Sequence, residues 1–500
     1  MDIKLVDTQP VDVNSLDSWL KWLETLHTKK IDLSLERVRV VADRMALLPH
    51  TDAFRHRYPD YQPKTIIVAG TNGKGSCVAS LAALAHSTSI NCGAYTSPHL
   101  LCYNERIRIN GQQASDKKIL QAFKAINAAR LEQYAVSLSY FEFATLAALY
   151  LFCEQKLDLW ILEVGLGGRL DATNIINADL AIITSIALDH QSFLGDDINS
   201  IAREKAGVMR AGQQLVIADS NSPAVLVDQA RKLMTDYIMP GAGYDLSAPN
   251  TLAVEGQEYF FNPLLPEQSV AAAVVGFDKL FADSNDNIAK LIATAQAVQL
   301  PGRFTVMQRV DMNSAGDMTE SDGSQNGEPA NGEEKNNTQA MRYRMQAFNS
   351  EGEKSLSEHP TIVMDVAHNP ASCAKLAEQL RRFIGNRKVR VLALFGMLAD
   401  KDRLGALSTL IGTVDHFIPC SLKHTPRAAA QSLLVQDLKQ LAVPDDHIQT
   451  SSEDLSCNLD TLLGGHASND LIVIFGSFYS VAEAVEYMVQ NSITLKDPFV

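Results

Sequence analysis

No apolar run in the chain approaches the roughly 18 residues that would mark a membrane-spanning helix. The first fourteen residues carry a single lysine among several aspartates and no apolar core, so they read as neither a secretory nor a mitochondrial address. Seven cysteines are scattered without one Cys-x-x-Cys pair, which argues against a zinc knuckle or a disulfide framework. An excess of basic residues is also missing: the formal charge is −14, where a nucleic-acid-binding protein would be expected to show a basic face. These absences point to a cytoplasmic protein with neither membrane nor nucleic acid among its partners. Part of the acidity is local, since Asp311–Ala340 holds seven acids and one lysine and so contributes −6.

At 500 residues the chain is too long for one ordinary core, and two or three domains are expected. Its 46% apolar and 20% charged residues are ordinary for a globular protein. Leu16, Trp19, Leu20, Leu23 and Leu26 recur at helical spacing, as do Leu35, Val38, Val41, Met45 and Leu48. Apolar runs at Thr65–Ala69, Leu157–Leu162, Leu180–Ser185, Gln214–Ala218, Thr361–Met364, Val389–Phe395 and Leu471–Phe475 are separated by helical stretches. That alternation predicts buried parallel sheets in an α/β architecture. A Pro-Gly turn at Leu300–Arg303 divides the chain into expected domains 1–300 and 301–500. Asp311–Ala340 has no aromatic residue and no Val, Ile or Leu, so it cannot bury enough apolar surface to offset its ordering entropy. It is expected to be a disordered insertion between short strands at Phe304–Val310 and Arg342–Phe348.

Residues 65–76 read Thr-Ile-Ile-Val-Ala-Gly-Thr-Asn-Gly-Lys-Gly-Ser: a strand, a glycine turn, then a helix over Cys77–His86. This context gathers backbone N–H groups and a helix N-terminus around an anion. Thr71, Asn72, Gly73, Lys74, Gly75 and Ser76 are the candidate ATP contacts, with Lys74 on the β/γ-phosphates and the Ser76 hydroxyl at a magnesium position. The spacing departs from G-x-x-x-x-G-K-[ST], because Gly75 separates Lys74 from Ser76.

Gly70-Thr-Asn-Gly-Lys-Gly-Ser76 resembles the ATP loop of the folylpolyglutamate synthase branch of the Mur ligase superfamily. Tyr95–Leu100, Asn104–Ile107, Glu163–Asn174, Thr184–His190, Arg203–Gly207, Leu300–Phe304, Asp365–Pro370 and Gly476–Tyr479 resemble the same branch, in its order. The resemblance implies a P-loop ATPase domain of Mur-ligase type followed by a smaller Rossmann-like α/β domain. It also implies ATP-dependent addition of L-glutamate to dihydropteroate and to reduced folates, through an acyl phosphate. ATP and two Mg2+ ions are the implied cofactors, a monovalent cation is allowed, and a monomer is expected.

Glu163 closes an apolar strand, where ligands collect in open α/β sheets; its plainer alternative is an ion pair with Arg169. By resemblance Glu163, Ser97, His190, Ser76 and Lys205 are the metal set, and Ser97 is otherwise a turn hydroxyl before proline. Lys205 could simply pair with a neighbouring acid on a helix. The resemblance instead implies a carbamylated lysine, which needs a neutral amine and therefore a site that disfavours charge. Arg303 and Asp365 are implied ATP contacts from the second domain, with Ser269 where family members often carry asparagine near the base. His368 and Ser477 are implied glutamate contacts, and Lys74, Lys205 and His368 the catalytic residues. Ser139, Tyr140, Phe141 and Glu142 resemble a folate-contacting segment, and Leu170, Asp171 and Ala172 another; Tyr140 and Phe141 could equally be core. Ile31–Val38 resembles the dihydropteroate segment of bifunctional members, with Leu33, Ser34, Leu35 and Glu36 as its implied contacts, although a helix start capped by Ser34 is compatible with the same residues.

Two rival functions make different demands. A peptidoglycan Mur ligase would carry a UDP-binding N-terminal domain, but only 64 residues precede the strand at Thr65, and they read as helices. A nucleotide switch would need neither an amine site nor a second substrate domain.

Overall fold

The computed structural model describes residues 9–27, 32–282, 287–309, 343–346, 360–423, 425–465 and 470–491. The expected insertion 311–340 lies outside them. The chain forms two compact units, one running to Leu300 and the other beginning at Pro301.

The first unit is built on an eleven-stranded sheet. Its strands are β1 (Lys64–Ala69), β2 (Cys92–Tyr95), β3 (Ile107–Ile109), β4 (Gln112–Gln113), β5 (Leu159–Glu163) and β6 (Leu180–Ile183). Then follow β7 (Gln214–Ile217), β8 (Asp236–Pro240), β9 (Gly243–Asp245), β10 (Thr251–Val254) and β11 (Gln257–Phe260). The order is β11-β10-β9-β8-β7-β6-β1-β5-β2-β3-β4, and β1 lies between β5 and β6, parallel to both. The central strands are apolar on both faces because helices cover both. Ile66 and Val68 enter one core cluster, Ile67 and Ala69 another, as the period of two requires. Helix Lys74–Ser87 packs against helix Glu267–Leu280 in the first of these. A Cβ on Gly276 would lie 3.1–3.3 Å from Leu180, Ile182 and Val216, so its glycine lets that helix sit close on β6 and β7. Beyond β5, helices Leu16–Leu26, Glu36–Arg44, Asp116–Leu131 and Tyr140–Glu154 share a third core around Trp19, Phe123, Phe143 and Trp160.

The second unit holds β12 (Thr305–Arg309), β13 (Tyr343–Gln346), β14 (Thr361–Met364), β15 (Arg390–Phe395), β16 (His416–Pro419) and β17 (Asp470–Phe475). Their order is β13-β12-β14-β17-β15-β16. β14, β17, β15 and β16 run parallel, while β12 is antiparallel to both β13 and β14. Phe395 and Phe475 stack in its core, with ring centroids 5.2 Å apart.

Two local expectations change. The apolar period from Leu35 to Leu48 overruns its helix, which ends at Arg44; Ala46 turns with φ 53, and Leu47 and Leu48 are buried beyond it. Ser34 does not cap that helix: Leu35 occupies the N-cap position without a side-chain bond, and Ser34 Oγ only accepts from Glu36 N–H at 3.4 Å. No described helix is long and apolar enough to cross a membrane.

Candidate active site

The glycine turn after β1 is held by close packing. Gly70 has φ +144, and a Cβ there would lie 1.8 Å from Thr184 Oγ1; Gly73 has φ +90, and its Cβ would lie 2.1 Å from Ser269 Oγ. Only glycine meets both demands at once. Thr71 N–H donates to Ser185 O at 2.7 Å, the Thr71 hydroxyl bonds both backbone groups around Ala187, and Ser185 Oγ donates to Asn72 O. The turn is thereby pinned to the chain leaving β6, and Gly73 is the N-cap of a 14-residue helix. Its first N–H groups and its dipole form an anion cradle. Lys74 Nζ lies 3.1 Å from Gly70 O and 3.2 Å from Thr71 O, within the turn itself. The Ser76 hydroxyl is fully buried, with no hydrogen-bond partner among the described residues. A buried hydroxyl without a partner is costly unless a ligand engages it.

Glu163, the last residue of β5, is 5% exposed and brings its carboxylate over this turn. Its oxygens would lie 3.9 and 4.0 Å from a Cβ on Gly75, and Oε2 accepts from Ser97 N–H at 3.1 Å. Ser97 precedes a cis peptide bond to Pro98. One carboxylate with hydroxyls nearby suits a hard dication that keeps several waters, as magnesium does. The described residues contain no group of three or more His, Cys, Asp or Glu that could hold a metal. Arg169, the alternative partner for Glu163, pairs with Glu204 at 3.0 Å instead. His190 stands in a left-handed conformation, φ 52, beside Asp189, whose Oδ2 is 3.8 Å from its Nε2.

Lys205 sits on the inner side of helix Ile198–Ala206, 4% exposed, and donates from Nζ to Gly70 O at 2.8 Å. Burial, reinforced by the Lys74 charge, pushes its amine down to about 7, against the pull of Asp189 and Asp171. It therefore makes no helical pair with Glu204, which is engaged by Arg169. As an ammonium Lys205 does not fit a metal; as a carbamate it would. The glycine-rich loop after Glu163 lies on this helix, for a Cβ on Gly168 would come 2.8 Å from Glu204 O.

The acceptor candidates are tied into helix starts. Ser139 and Glu142 form a reciprocal capping box at the head of helix Tyr140–Glu154, with Ser139 N–H donating to Glu142 Oε2 at 2.7 Å. Tyr140 and Phe141 are half-buried in its first turn. The Phe141 ring lies against Gly165, where a Cβ would meet it at 2.6 Å, and 5.8 Å from the Tyr95 ring. Asp171 is 2% exposed and accepts from Leu166 N–H, Thr173 N–H and Thr173 Oγ1. Burial raises its carboxyl despite those bonds. Ala172 is buried beside it and Leu170 is half-buried. Leu33, Ser34 and Leu35 are half-exposed and Glu36 exposed at the head of helix Glu36–Arg44.

In the second unit the candidates follow adjacent parallel strands. Asp365, after β14, accepts from Phe304 N–H and Ala367 N–H, both at 2.8 Å. Burial raises it, and the Arg303 charge opposes the rise. His368 Nδ1 donates to Val366 O at 2.8 Å. Ser477, after β17, is 3% exposed and caps helix Phe478–Gln490 by accepting from Ser480 N–H. The Arg303 guanidinium lies 5.1 Å from the Phe478 ring centroid.

Three residues at the site are not among the contacts expected from the sequence: Thr184 against Gly70, Asp189 beside His190, and Arg37, inside the Ile31–Val38 segment, which binds Glu142. The first two lie inside the Thr184–His190 segment, whose neighbouring Leu180–Ile183 run had marked it as a strand end.

Residues 344–478 match the family model described as Mur ligase, glutamate ligase domain. The dihydrofolate synthase/folylpolyglutamate synthase of Escherichia coli is 32% identical, over 96% of this chain and 97% of its own length. That of Haemophilus influenzae is 35% identical, over 94% and 96% respectively. Among solved structures, E. coli FolC in complex with DHPP and ADP superposes with a TM-score of 0.76 at 32% identity, covering 97% of this chain and 99% of that one. A bifunctional folylpolyglutamate synthase/dihydrofolate synthase with Mn, AMPPNP and L-glutamate bound gives 0.75 at 33% identity, covering 96% and 100%.

Proposed function

Because the chain belongs to the dihydrofolate synthase/folylpolyglutamate synthase family, we propose that its two units serve one ATP-dependent ligation of L-glutamate to two acceptors, dihydropteroate and reduced folylglutamates. The acceptor carboxylate attacks the γ-phosphorus of ATP, giving an acyl phosphate and ADP. The glutamate amine then attacks the acyl carbon, and phosphate leaves as the amide forms. Phosphoryl transfer is dominated by positioning and charge neutralisation, so the weight falls on the turn from Gly70 to Ser76.

The observation that carries this reading is the convergence on that turn of a buried unpartnered Ser76 hydroxyl, the Glu163 carboxylate and two lysines. Thr71–Ser76 cradle the phosphates, with Lys74 as their counter-charge and Ser269 against Gly73 near the nucleotide. Ser76, Ser97, Glu163 and His190 would hold Mg2+, which supplies charge neutralisation on the transferring phosphoryl group. Lys205, as a neutral amine, takes up carbon dioxide and loses a proton to become a carbamate, adding an anion to that set. Ser139–Glu142 and Leu170–Ala172 contact the pterin, and Leu33–Glu36 form a second position for the shorter acceptor. Arg303 and Asp365 contact ATP, while His368 and Ser477 receive glutamate. The protein works as a cytoplasmic monomer.

Glutamate-dependent ADP release with dihydropteroate, reduced-folate and UDP-muramoyl acceptors tests the assignment. Turnover with the two pterin acceptors and none with the muramoyl compound is expected. Release of ADP independent of glutamate would overturn it.

A further inference from the structure

Leu33–Glu36 lie between two residues that bind each other. Arg37 Nη1 donates to Asp32 Oδ2 at 2.8 Å, so one ion pair closes the four-residue arch. The same guanidinium donates from Nη2 to both oxygens of Glu142, at 3.1 and 3.3 Å, which ties the arch to the head of helix Tyr140–Glu154. Asp32 is held in turn by His27, with Nε2 3.0 Å from Oδ2, and His27 Nδ1 is 2.8 Å from Ser137 Oγ. The two acceptor segments, 105 residues apart in sequence, are therefore joined through one cation.

The two sides do not depend on Arg37 equally. Glu142 also accepts from Ser139 N–H at 2.7 Å in a complete capping box, and its helix continues for 15 residues. That side is fixed without Arg37. The arch leads into a nine-residue helix whose N-terminus has no side-chain cap, and although Leu35 packs against the core, Leu33 and Ser34 remain half-exposed. Removing the guanidinium would release the arch while leaving the helix head in place.

We propose that Arg37 is a positioning residue that sets selectivity between the two acceptors, by holding Leu33–Glu36 in the shape the shorter acceptor requires. This rests on the two-position reading above. Arg37→Met keeps the length of the side chain and removes its charge. Its KM for dihydropteroate should rise about tenfold, equivalent to roughly 1.4 kcal/mol of binding. Its kcat for that acceptor and its KM for ATP should each stay within about twofold on the same scale, while its KM for the reduced folate should rise less than that for dihydropteroate, since Glu142 keeps its bond from Ser139 N–H. Arg37→Lys should fall between, because an ammonium lacks the planar fork that engages two carboxylates. Asp32→Ala removes the acceptor of Arg37 Nη1 while sparing the Arg37–Glu142 pair, and should show the same split with a smaller rise. Thermal unfolding of each variant separates a local effect from misfolding, and Asp32→Ala decides the matter if Arg37→Met does not fold. Equal changes in both acceptor KM values, or none, would overturn the inference. A wild-type protein that accepts only one of the two would overturn the two-acceptor reading, and this inference with it.

Discussion

Lys74 and Lys205 donate to one carbonyl oxygen, that of Gly70, from 3.1 and 2.8 Å. Two ammonium groups on one acceptor repel each other, and the buried one bears the larger cost because it is cut off from water. Burial is accordingly the main cause of the depressed Lys205 amine and the Lys74 charge the second. Lys205 is therefore the group poised to lose its proton.

Lys205→Ala is therefore expected to abolish turnover while ATP still binds, and small carboxylates such as acetate should restore part of the rate. The unmodified protein has a pH signature as well. Between about 7 and the ordinary 10.5, the unfolded chain holds a proton at Lys205 that the folded chain does not. Stability due to this group should then rise with pH across that window and be flat below it. Lys205→Met should lose that slope. Denaturant titrations of both proteins in bicarbonate-free buffer measure it; identical pH dependence would remove the depressed lysine, and with it the route to a carbamate.

Glu163→Gln should raise the magnesium requirement and lower kcat, because an amide oxygen is a weaker ligand for a hard dication than a carboxylate. The amide can keep the bond from Ser97 N–H, so the fold around β5 should persist. Rates measured across a magnesium titration check this. Unchanged magnesium dependence would leave Glu163 as a backbone anchor for Ser97.

Gly73→Ala meets two obstacles: a left-handed backbone costing on the order of 1–3 kcal/mol for other residues, and a Cβ 2.1 Å from Ser269 Oγ. Loss of ATP affinity with a lower unfolding midpoint is expected. Adding Ser269→Ala removes the shorter contact, leaving Ser269 Cβ at 3.3 Å, and should recover part of the stability. No recovery in the double variant would place the whole effect in the backbone.

Much of this was legible because the chemistry is written locally. A strand followed by closely spaced glycines and a lysine, and a glutamate ending an apolar run, locate the turn and its carboxylate without any tertiary contact. Ser139 and Glu142 were legible as an acceptor segment but not as a capping box, which the structure makes of them, the Ser139 hydroxyl accepting from Glu142 N–H. Arg37 lies inside the Ile31–Val38 segment, but its role was not legible, because its partner Glu142 is brought to it only by the packing of two helices. The strands from β8 to β11 escaped notice for another reason: none contains a long apolar run, and β11 is largely exposed. The Leu35–Leu48 period misled because burial outlasts the helix, Leu47 and Leu48 entering the core after the turn at Ala46.

Replacing Asp311–Ala340 with a short Gly/Ser linker should leave folding and activity nearly unchanged. Arg309 of β12 pairs directly with Tyr343 of β13 in an antiparallel register, so a short connection can close the hairpin. The segment lies outside the described residues, and its lack of Val, Ile, Leu and aromatics argues against a core role. Chemical denaturation decides the point, since a loss above about 1 kcal/mol exceeds what surface changes usually cost.

One chain should perform both glutamate additions. The two reactions share carboxylate activation and amine attack, and differ in where the carboxylate sits: on the benzoate ring of dihydropteroate, or at the end of a glutamyl arm. A single pterin position cannot serve both, because the arm would carry the second carboxylate past Glu163 and the turn from Gly70 to Ser76. Two positions are required, and two separate segments are available: the head of helix Tyr140–Glu154 with Asp171, and the arch Leu33–Glu36. Glu36 is exposed at the start of its helix and makes no ion pair among the described residues, so its removal should disturb the fold little. Glu36→Ala is expected to lower the dihydropteroate reaction several-fold more than the reduced-folate reaction. Purified wild type and variant are assayed with each acceptor separately. A wild type that takes only the reduced folate refutes the dual activity. Equal losses in the variant refute separate positions while leaving the ligase assignment intact.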